Sequence, residues 1–435
     1  MHSSFSQLSE LITCLLAFPA LVLVSLYYSF KLKGLQFTRL LEGTRILFGE
    51  EKKEQHKEKK TFSHFQVVAA ILAGNLGTGN ISGMAIALKT GGPGALFWMW
   101  VLTPLCSIIQ YVSSYLGVKF RTQKQGEDFY RGGPMYYMKQ QLSSPLLAFF
   151  FCLSLLLAGL TVGNLAQVDS MLISLDLSHR HEFFFLSFLS LFTFAVLFTK
   201  RNFFARFASM VVPLMAMLFF LMSLSVIFFF RENLLPSLMS IIQSAFSYTP
   251  SLTGAMKGVA FSKIISVGLD RSIFATDTGL GLGPIIQANV TSKGPHKEGL
   301  VALVAPYFVI FICTLTALSL MVTGAWKVEG IESSQICLRA FESSLFGVHS
   351  TWILKLIIIF FGITTISSWS YCYKQALLFM SSSKKVITFF SLLFVATIFM
   401  GASSETSVIW ELSDLAITMM LLCNLYAIFR LRREF

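Results

Sequence analysis

Gly74-Asn75-Leu76-Gly77-Thr78-Gly79-Asn80 and Phe274-Ala275-Thr276-Asp277-Thr278-Gly279-Leu280-Gly281-Leu282-Gly283-Pro284 are the two stretches on which the fold turns. Each sits inside a long apolar run, the first over 63–88 and the second over 254–288. A glycine in a helix interior costs about 1 kcal/mol relative to alanine, and a proline about 3 kcal/mol. A helix unbroken over 254–288 would also be about 52 Å long at about 1.5 Å per residue, against a bilayer core of about 30 Å. The residues therefore predict two shorter helical pieces on either side of a break in each run.

Backbone that leaves the helix frees its N–H and C=O groups. In hydrocarbon each unpaired group costs several kcal/mol, so a break survives there only where it lines a cavity or a ligand pairs it. Helix N-termini offer partial positive charge and free N–H groups to anions, and C-terminal carbonyls offer partial negative charge to cations. A break at mid-membrane suits an ion and a zwitterion together. Interrupted segments at matching places in two halves of a chain point to a transporter site. Close helix packing on small residues is the other use of such glycines.

The rest of the chain agrees with a bilayer as its solvent. Of 435 residues, 54% are hydrophobic and only 13% charged. A water-soluble globule carries about 25% charged residues, so most of this surface must face something other than water. The 44 Phe lie in continuous apolar runs rather than in short alternating ones, which excludes an outer-membrane barrel. The seven Cys, at 14, 106, 152, 313, 337, 372 and 423, form no CxxC and fall mostly inside apolar runs. They read as packing residues, neither a disulfide frame nor a metal site.

Eleven spans are expected, over 10–30, 63–88, 95–118, 145–175, 183–199, 208–230, 254–288, 299–323, 352–374, 386–402 and 407–429. The first lacks a basic segment before it and a small-residue cleavage site after it, so it reads as an uncleaved span. An odd number puts the termini on opposite sides. With the N-terminus outside, the inside loops hold 25 of the 34 Lys and Arg, nine of them between residues 31 and 60; the outside loops hold only Lys89, Arg180, Arg231, Lys327 and Arg339. Basic residues favour cytoplasmic loops, so the net charge of +12 is a topology signal and not a nucleic-acid footprint. The lysine-rich stretch 51–60 reads as a solvated cytoplasmic loop, with attraction to anionic lipid headgroups as the alternative.

The two broken runs are the second and seventh spans. That is the spacing of a five-plus-five inverted repeat behind one extra helix. The expected organisation is an N-terminal helix and basic loop over 1–62, a first five-helix repeat over 63–235, and a second over 236–435.

At this point the residues carry a family pattern. Leu72-Ala73-Gly74-Asn75-Leu76-Gly77-Thr78-Gly79-Asn80-Ile81 leads to Gly91-Gly92-Pro93-Gly94-Ala95-Leu96-Phe97-Trp98-Met99-Trp100-Val101. Together they resemble the first core helix and following turn of the alanine or glycine:cation symporter family. Gly132-Gly133-Pro134-Met135-Tyr136-Tyr137 and Gly163-Asn164-Leu165-Ala166-Gln167 resemble its next two signatures. Arg271-Ser272-Ile273-Phe274, continuing to Pro284, resembles its broken sixth core helix. Gly299-Leu300-Val301, Trp369-Ser370-Tyr371, Trp410, Asp414 and Asn424 continue the match in order, so the resemblance covers nearly the whole chain.

The resemblance implies an all-α polytopic membrane protein with a leucine-transporter-type fold, in the amino acid–polyamine–organocation superfamily. It implies Na⁺-coupled uptake of alanine or glycine by alternating access across a bacterial inner membrane, with no cofactor besides Na⁺ as coupling ion. The substrate carboxylate would meet N–H groups near Gly77, Thr78 and Gly79, with the Asn75 amide beside it and Thr276 in the second break. Gln167 and Trp369 would wall the pocket. Trp369 and Phe274 would cap its side-chain end and leave room for a methyl or a hydrogen, a filter by exclusion. The cation would take carbonyls at Gly74 and Leu76 and hydroxyls of Thr364 and Thr365, unless that Thr pair bonds back to its own helix.

Carboxylates at membrane depth are functional candidates. Asp277 sits in the second break, where the family usually has Glu, and Thr276 where it has Asn. Asp169 stands where the family more often has Asn; it could carry a proton, support a cation or be an interface residue. Ser113 replaces a usual Glu, Lys374-Gln375 a usual Glu-Arg pair, and Cys423 a Pro. Arg271 reads as a gate partner for an acid or as a snorkelling residue. These departures leave proton coupling open as an alternative to Na⁺, and a passive amino acid channel open behind it. An enzyme is excluded because the seven His lie in loops or near span ends, with no nucleophile–base or metal constellation at depth. The oligomeric state is not readable from these residues.

Overall fold

A π-turn, Thr13–Ala17, leads into helix α1, Phe18–Lys31. The computed structural model describes residues 12–49, 63–123, 129–199, 202–246, 254–290, 294–331, 333–344, 347–401 and 406–435, without the side chains of 49, 202, 254–263 and 406–411. The lysine-rich stretch 51–60 and the side chain of Trp410 lie outside the described residues.

The first broken run opens with a reciprocal cap. Ser63 Oγ accepts the Gln66 N–H at 3.2 Å, and Gln66 Oε1 accepts the Ser63 N–H at 3.1 Å. Helix α2, His64–Asn75, follows and ends where Gly77 turns extended (φ −96°, ψ −176°). A single 3₁₀ turn, Thr78–Asn80, bridges to α3, Ser82–Gly91. Helix α4, Gly94–Lys119, is continuous despite Pro104. The expected span 145–175 is one membrane-length unit made of α5, Pro145–Leu160, a π-turn at Thr161–Leu165, and α6, Ala166–Leu175. Then come α7, His179–Phe198, and α8, Asn202–Phe229.

Helix α9, Leu234–Phe246, occupies a stretch the sequence reading left as an outside loop. The second broken run is α10, Gly254–Thr276, then α11, Leu282–Gln287. Between them Asp277, Gly279 and Gly281 take left-handed backbone, with φ of +50°, +87° and +87°. That conformation is easy for glycine and tolerable for Asp. Next are α12, Pro295–Ala302; α13, Val304–Thr323; α14, Ser334–Glu342; α15, Val348–Met380; α16, Lys384–Met400; and α17, Thr406–Arg430.

Every regular element among the described residues is helical. Eight helices there are long and apolar enough to cross a membrane: Thr13–Lys31, Gly94–Lys119, Pro145–Leu175, His179–Phe198, Phe203–Phe229, Pro295–Thr323, Val348–Met380 and Leu412–Arg430. The other three expected spans are the two broken runs and α16, which has 17 residues. The span expected at 352–374 is longer, because α15 runs on for 33 residues.

Two helices organise the interior. α4 packs on α1, α9, α10, α11, α12 and α13, and α15 packs on α2, α5, α6, α7, α8 and α14. The outer face of α8 shows Met210, Leu214, Met217, Leu221, Leu224 and Phe228 exposed. Their spacing of three, four or seven is one stripe of a helix, and an apolar stripe on the outside is what lipid tails accept.

Candidate functional site

The two breaks lie against each other. Asn75 Nδ2, at the end of α2, donates to the Thr276 carbonyl at the end of α10, 2.9 Å away. A side-chain amide from one half thus pairs a backbone carbonyl freed by the break in the other. The Asn80 amide likewise donates back to the Asn75 carbonyl. Asn424 of α17 secures the second break, donating to Gly279 O at 2.8 Å and to Ser113 Oγ at 3.3 Å while accepting from the Tyr137 hydroxyl. Ser113, where the sequence reading noted a missing carboxylate, is part of this neutral buried network.

Around the breaks is a cavity of about 580 Å³, counted out to open solvent. Of the expected substrate residues, Asn75, Gly77, Thr78, Gly79, Gln167, Phe274 and Trp369 line it. Thr276 does not: its hydroxyl is occupied by Ser272 O at 2.6 Å and Thr278 Oγ1 at 2.7 Å. Gly74, Thr365, Asp277 and Arg271 also line the cavity, whereas Leu76, Thr364 and Asp169 do not. Asn80, Met84, Val162 and Ala275 join the lining without having been singled out in the sequence.

Gln167 is placed by the π-turn just before it. Its Nε2 donates to Val162 O at 3.0 Å, which turns Oε1 toward the first break. That oxygen accepts both the Thr78 N–H, at 3.1 Å, and the Thr78 hydroxyl, at 3.0 Å. The N–H group expected to receive a substrate carboxylate is therefore occupied by an amide oxygen of the protein. Gly163, inside the π-turn, sits flat against Trp369; a Cβ there would come within 2.5 Å of the Trp369 Cβ and Cγ. The indole is buried and held in position by that bare backbone.

The hydroxyls of α15 divide between two uses. Thr364 Oγ1 bonds back to its own helix, to Phe360 O at 2.9 Å and Phe361 O at 3.1 Å. Thr365 faces α2, donating to Ala73 O at 3.0 Å, and Ser368 does the same to Ala70 O at 3.1 Å. The pair turned to α2 is thus Thr365 and Ser368, not Thr364 and Thr365. Residues three apart share a helix face and adjacent ones do not, so the spacing could have singled out Ser368.

Among the remaining candidates, Arg271 carries its charge next to Asp270, 3.1 Å away, with its guanidinium carbon 5.4 Å from the centre of the Phe274 ring. Lys374 donates to Leu197 O, which binds α15 to α7. At the far end of α2, His64 Nδ1 lies 3.0 Å from Glu298 Oε1 of α12, and Gln287 Nε2 donates to the other carboxylate oxygen. This buried cluster carried no signal in the sequence because its members come from three separate segments.

An all-helical fold with two breaks facing one cavity defines a membrane transporter. The model of the sodium:alanine symporter family matches residues 1–435, and the chain belongs to that family. An uncharacterized transporter of Haemophilus influenzae is 30% identical over 421 residues, 95% of this chain and 91% of that one. A probable sodium/glutamine symporter of Bacillus subtilis is 29% identical, covering 98% and 87%. The sodium/alanine symporter of Methanococcus maripaludis is 27% identical, covering 89% and 85%. A solved structure of a Na⁺-coupled sialic acid symporter, substrate-bound and outward-open, shares the fold at a TM-score of 0.51 and 12% identity, over 94% of this chain and 81% of that one. The chain is accordingly a multi-pass transporter of a symporter family and not an enzyme.

Proposed function

We propose that this protein imports alanine or glycine in symport with Na⁺ by alternating access. Its crossings number eleven, counting the eight long helices, α16 and the two broken runs. They form two five-helix repeats, 63–235 and 236–435, behind the N-terminal helix of residues 1–62. The protein lies in a bacterial inner membrane with its N-terminus outside and its C-terminus inside, the orientation that puts most Lys and Arg on the cytoplasmic face. The observation that carries the reading is the Asn75–Thr276 bond, which draws the two breaks onto one cavity.

A small zwitterion fits that arrangement. Its carboxylate meets the N–H groups of Gly77, Thr78 and Gly79 on the approach to α3, where a helix N-terminus favours an anion. Gln167 Oε1 holds the Thr78 donors until the carboxylate replaces it, so the break is never left unpaired. Trp369 and Phe274 close the side-chain end, and larger amino acids are refused by collision. Na⁺ is drawn to the oxygens at the C-terminal turn of α2, Gly74 and Leu76 among them, and to Thr365 facing them.

Uptake into proteoliposomes tests this directly. An inward Na⁺ gradient is expected to drive saturable uptake of alanine and glycine, with leucine failing to compete. Uptake driven by a pH gradient and indifferent to Na⁺ would transfer the reading to a proton-coupled transporter. Flux that never saturates would make it a channel.

A further inference from the structure

Asp277 is a buried carboxylate that its protein surroundings leave unanswered. It is the first residue past α10, in left-handed backbone at φ +50°, and only 5% exposed. Its Oδ2 has no hydrogen-bond partner, and no Lys, Arg or His among the described residues pairs with it. Arg271, on the same helix, is committed to Asp270.

The one hydroxyl oxygen that shares the space over Gly74 with Oδ2, that of Ser368, has no proton left to donate to it. A methyl built on Gly74 would lie 3.7 Å from Asp277 Oδ2 and 2.8 Å from Ser368 Oγ, so both oxygens stand over the same bare backbone. Ser368 gives its proton to Ala70 O and Thr365 gives its own to Ala73 O. Both hydroxyls therefore have only lone pairs left to offer. A buried carboxylate beside oxygen lone pairs is unfavourable unless it takes up a proton or a cation sits among the oxygens, and a hard cation takes oxygen ligands of this kind.

We infer that Asp277 ligates the coupling cation directly, with Asp277 Oδ2 and Ser368 Oγ meeting Na⁺ beside Gly74. This rests on the Na⁺-symport reading and adds a carboxylate from the second break to a site otherwise built from α2 and α15.

The test is binding without transport. The purified full-length protein, free of amino acids, is titrated with NaCl against choline chloride at constant ionic strength while its thermal unfolding midpoint is followed. The wild-type midpoint is expected to rise with Na⁺. Asp277→Asn is expected to weaken the apparent Na⁺ affinity by about tenfold or more, because it removes the ligand charge. Ser368→Ala weakens it less, and Gly74→Ala, which fills the space without touching charge, weakens it too. Should Asp277→Asn not fold, Ser368→Ala and Gly74→Ala carry the test. An unchanged Na⁺ titration in all three variants overturns the inference while leaving Na⁺ symport intact. A midpoint raised by alanine without Na⁺, and lost in Asp277→Asn, overturns it in favour of the substrate ammonium. A wild type with neither Na⁺ stabilisation nor Na⁺-driven uptake removes both the inference and the reading it rests on.

Discussion

Selectivity is decided at single residues, and Trp369 is the one most exposed to test. Its ring is pinned by Gly163 on one side and lines the cavity on the other. Trp369→Leu would open volume where a substrate side chain points. Leucine should then inhibit alanine uptake at least about tenfold better than in the wild type, since a methylene or two of fit is worth about 1–3 kcal/mol. Leucine still excluded from Trp369→Leu would mean the indole is no filter. The glycine breaks were legible because residue type alone carries their meaning, whereas Trp369 and Phe274, which line the cavity, were singled out through the family resemblance. The hydroxyl set was not. Thr364 and Thr365 are chemically identical, and only the rotation of α15 about its axis decides which of them meets α2 and which bonds back to Phe360 and Phe361. Nor could the sequence say that Gln167 reaches Thr78, because the π-turn that aims it is a slip of backbone hydrogen bonds without a compositional mark.

Among elements, both breaks were readable from glycine and proline spacing, whereas α9, α14 and the fixing of α2 at its first turn were not. Helix α2 begins at His64, and there it is tied to α12 through Glu298, which is fully buried. The His64–Glu298 approach is short enough for an ion pair but lacks hydrogen-bond alignment, and Gln287 supports the carboxylate from α11. In the proposed orientation this cluster lies at the cytoplasmic end. His64→Ala leaves the buried Glu298 carboxylate to Gln287 and should cost up to about 3–5 kcal/mol of stability, the range for removing one partner of a buried pair. Thermal unfolding in detergent measures it. The double variant His64→Ala/Glu298→Ala should recover much of the loss, and strictly additive losses would show that the two side chains are not coupled.

Over the whole molecule, the scarcity of charge pointed to the class, and the placement of charge is the ground for the proposed orientation. The apolar stripe of α8 and the eight membrane-length helices agree with a bilayer solvent. Orientation itself rests on the distribution of Lys and Arg. Cysteines introduced singly at Lys89 and at Arg433, in an otherwise cysteine-free variant, should separate cleanly. An impermeant thiol reagent added to intact cells is expected to label position 89 and spare position 433; the reverse pattern would invert the topology. The most direct test of symport is reciprocal coupling. In proteoliposomes with equal Na⁺ on both sides, an inward alanine gradient should pull radiolabelled Na⁺ inward, and the movement should vanish when leucine replaces alanine. Alanine entry with no accompanying Na⁺ movement would contradict symport with Na⁺.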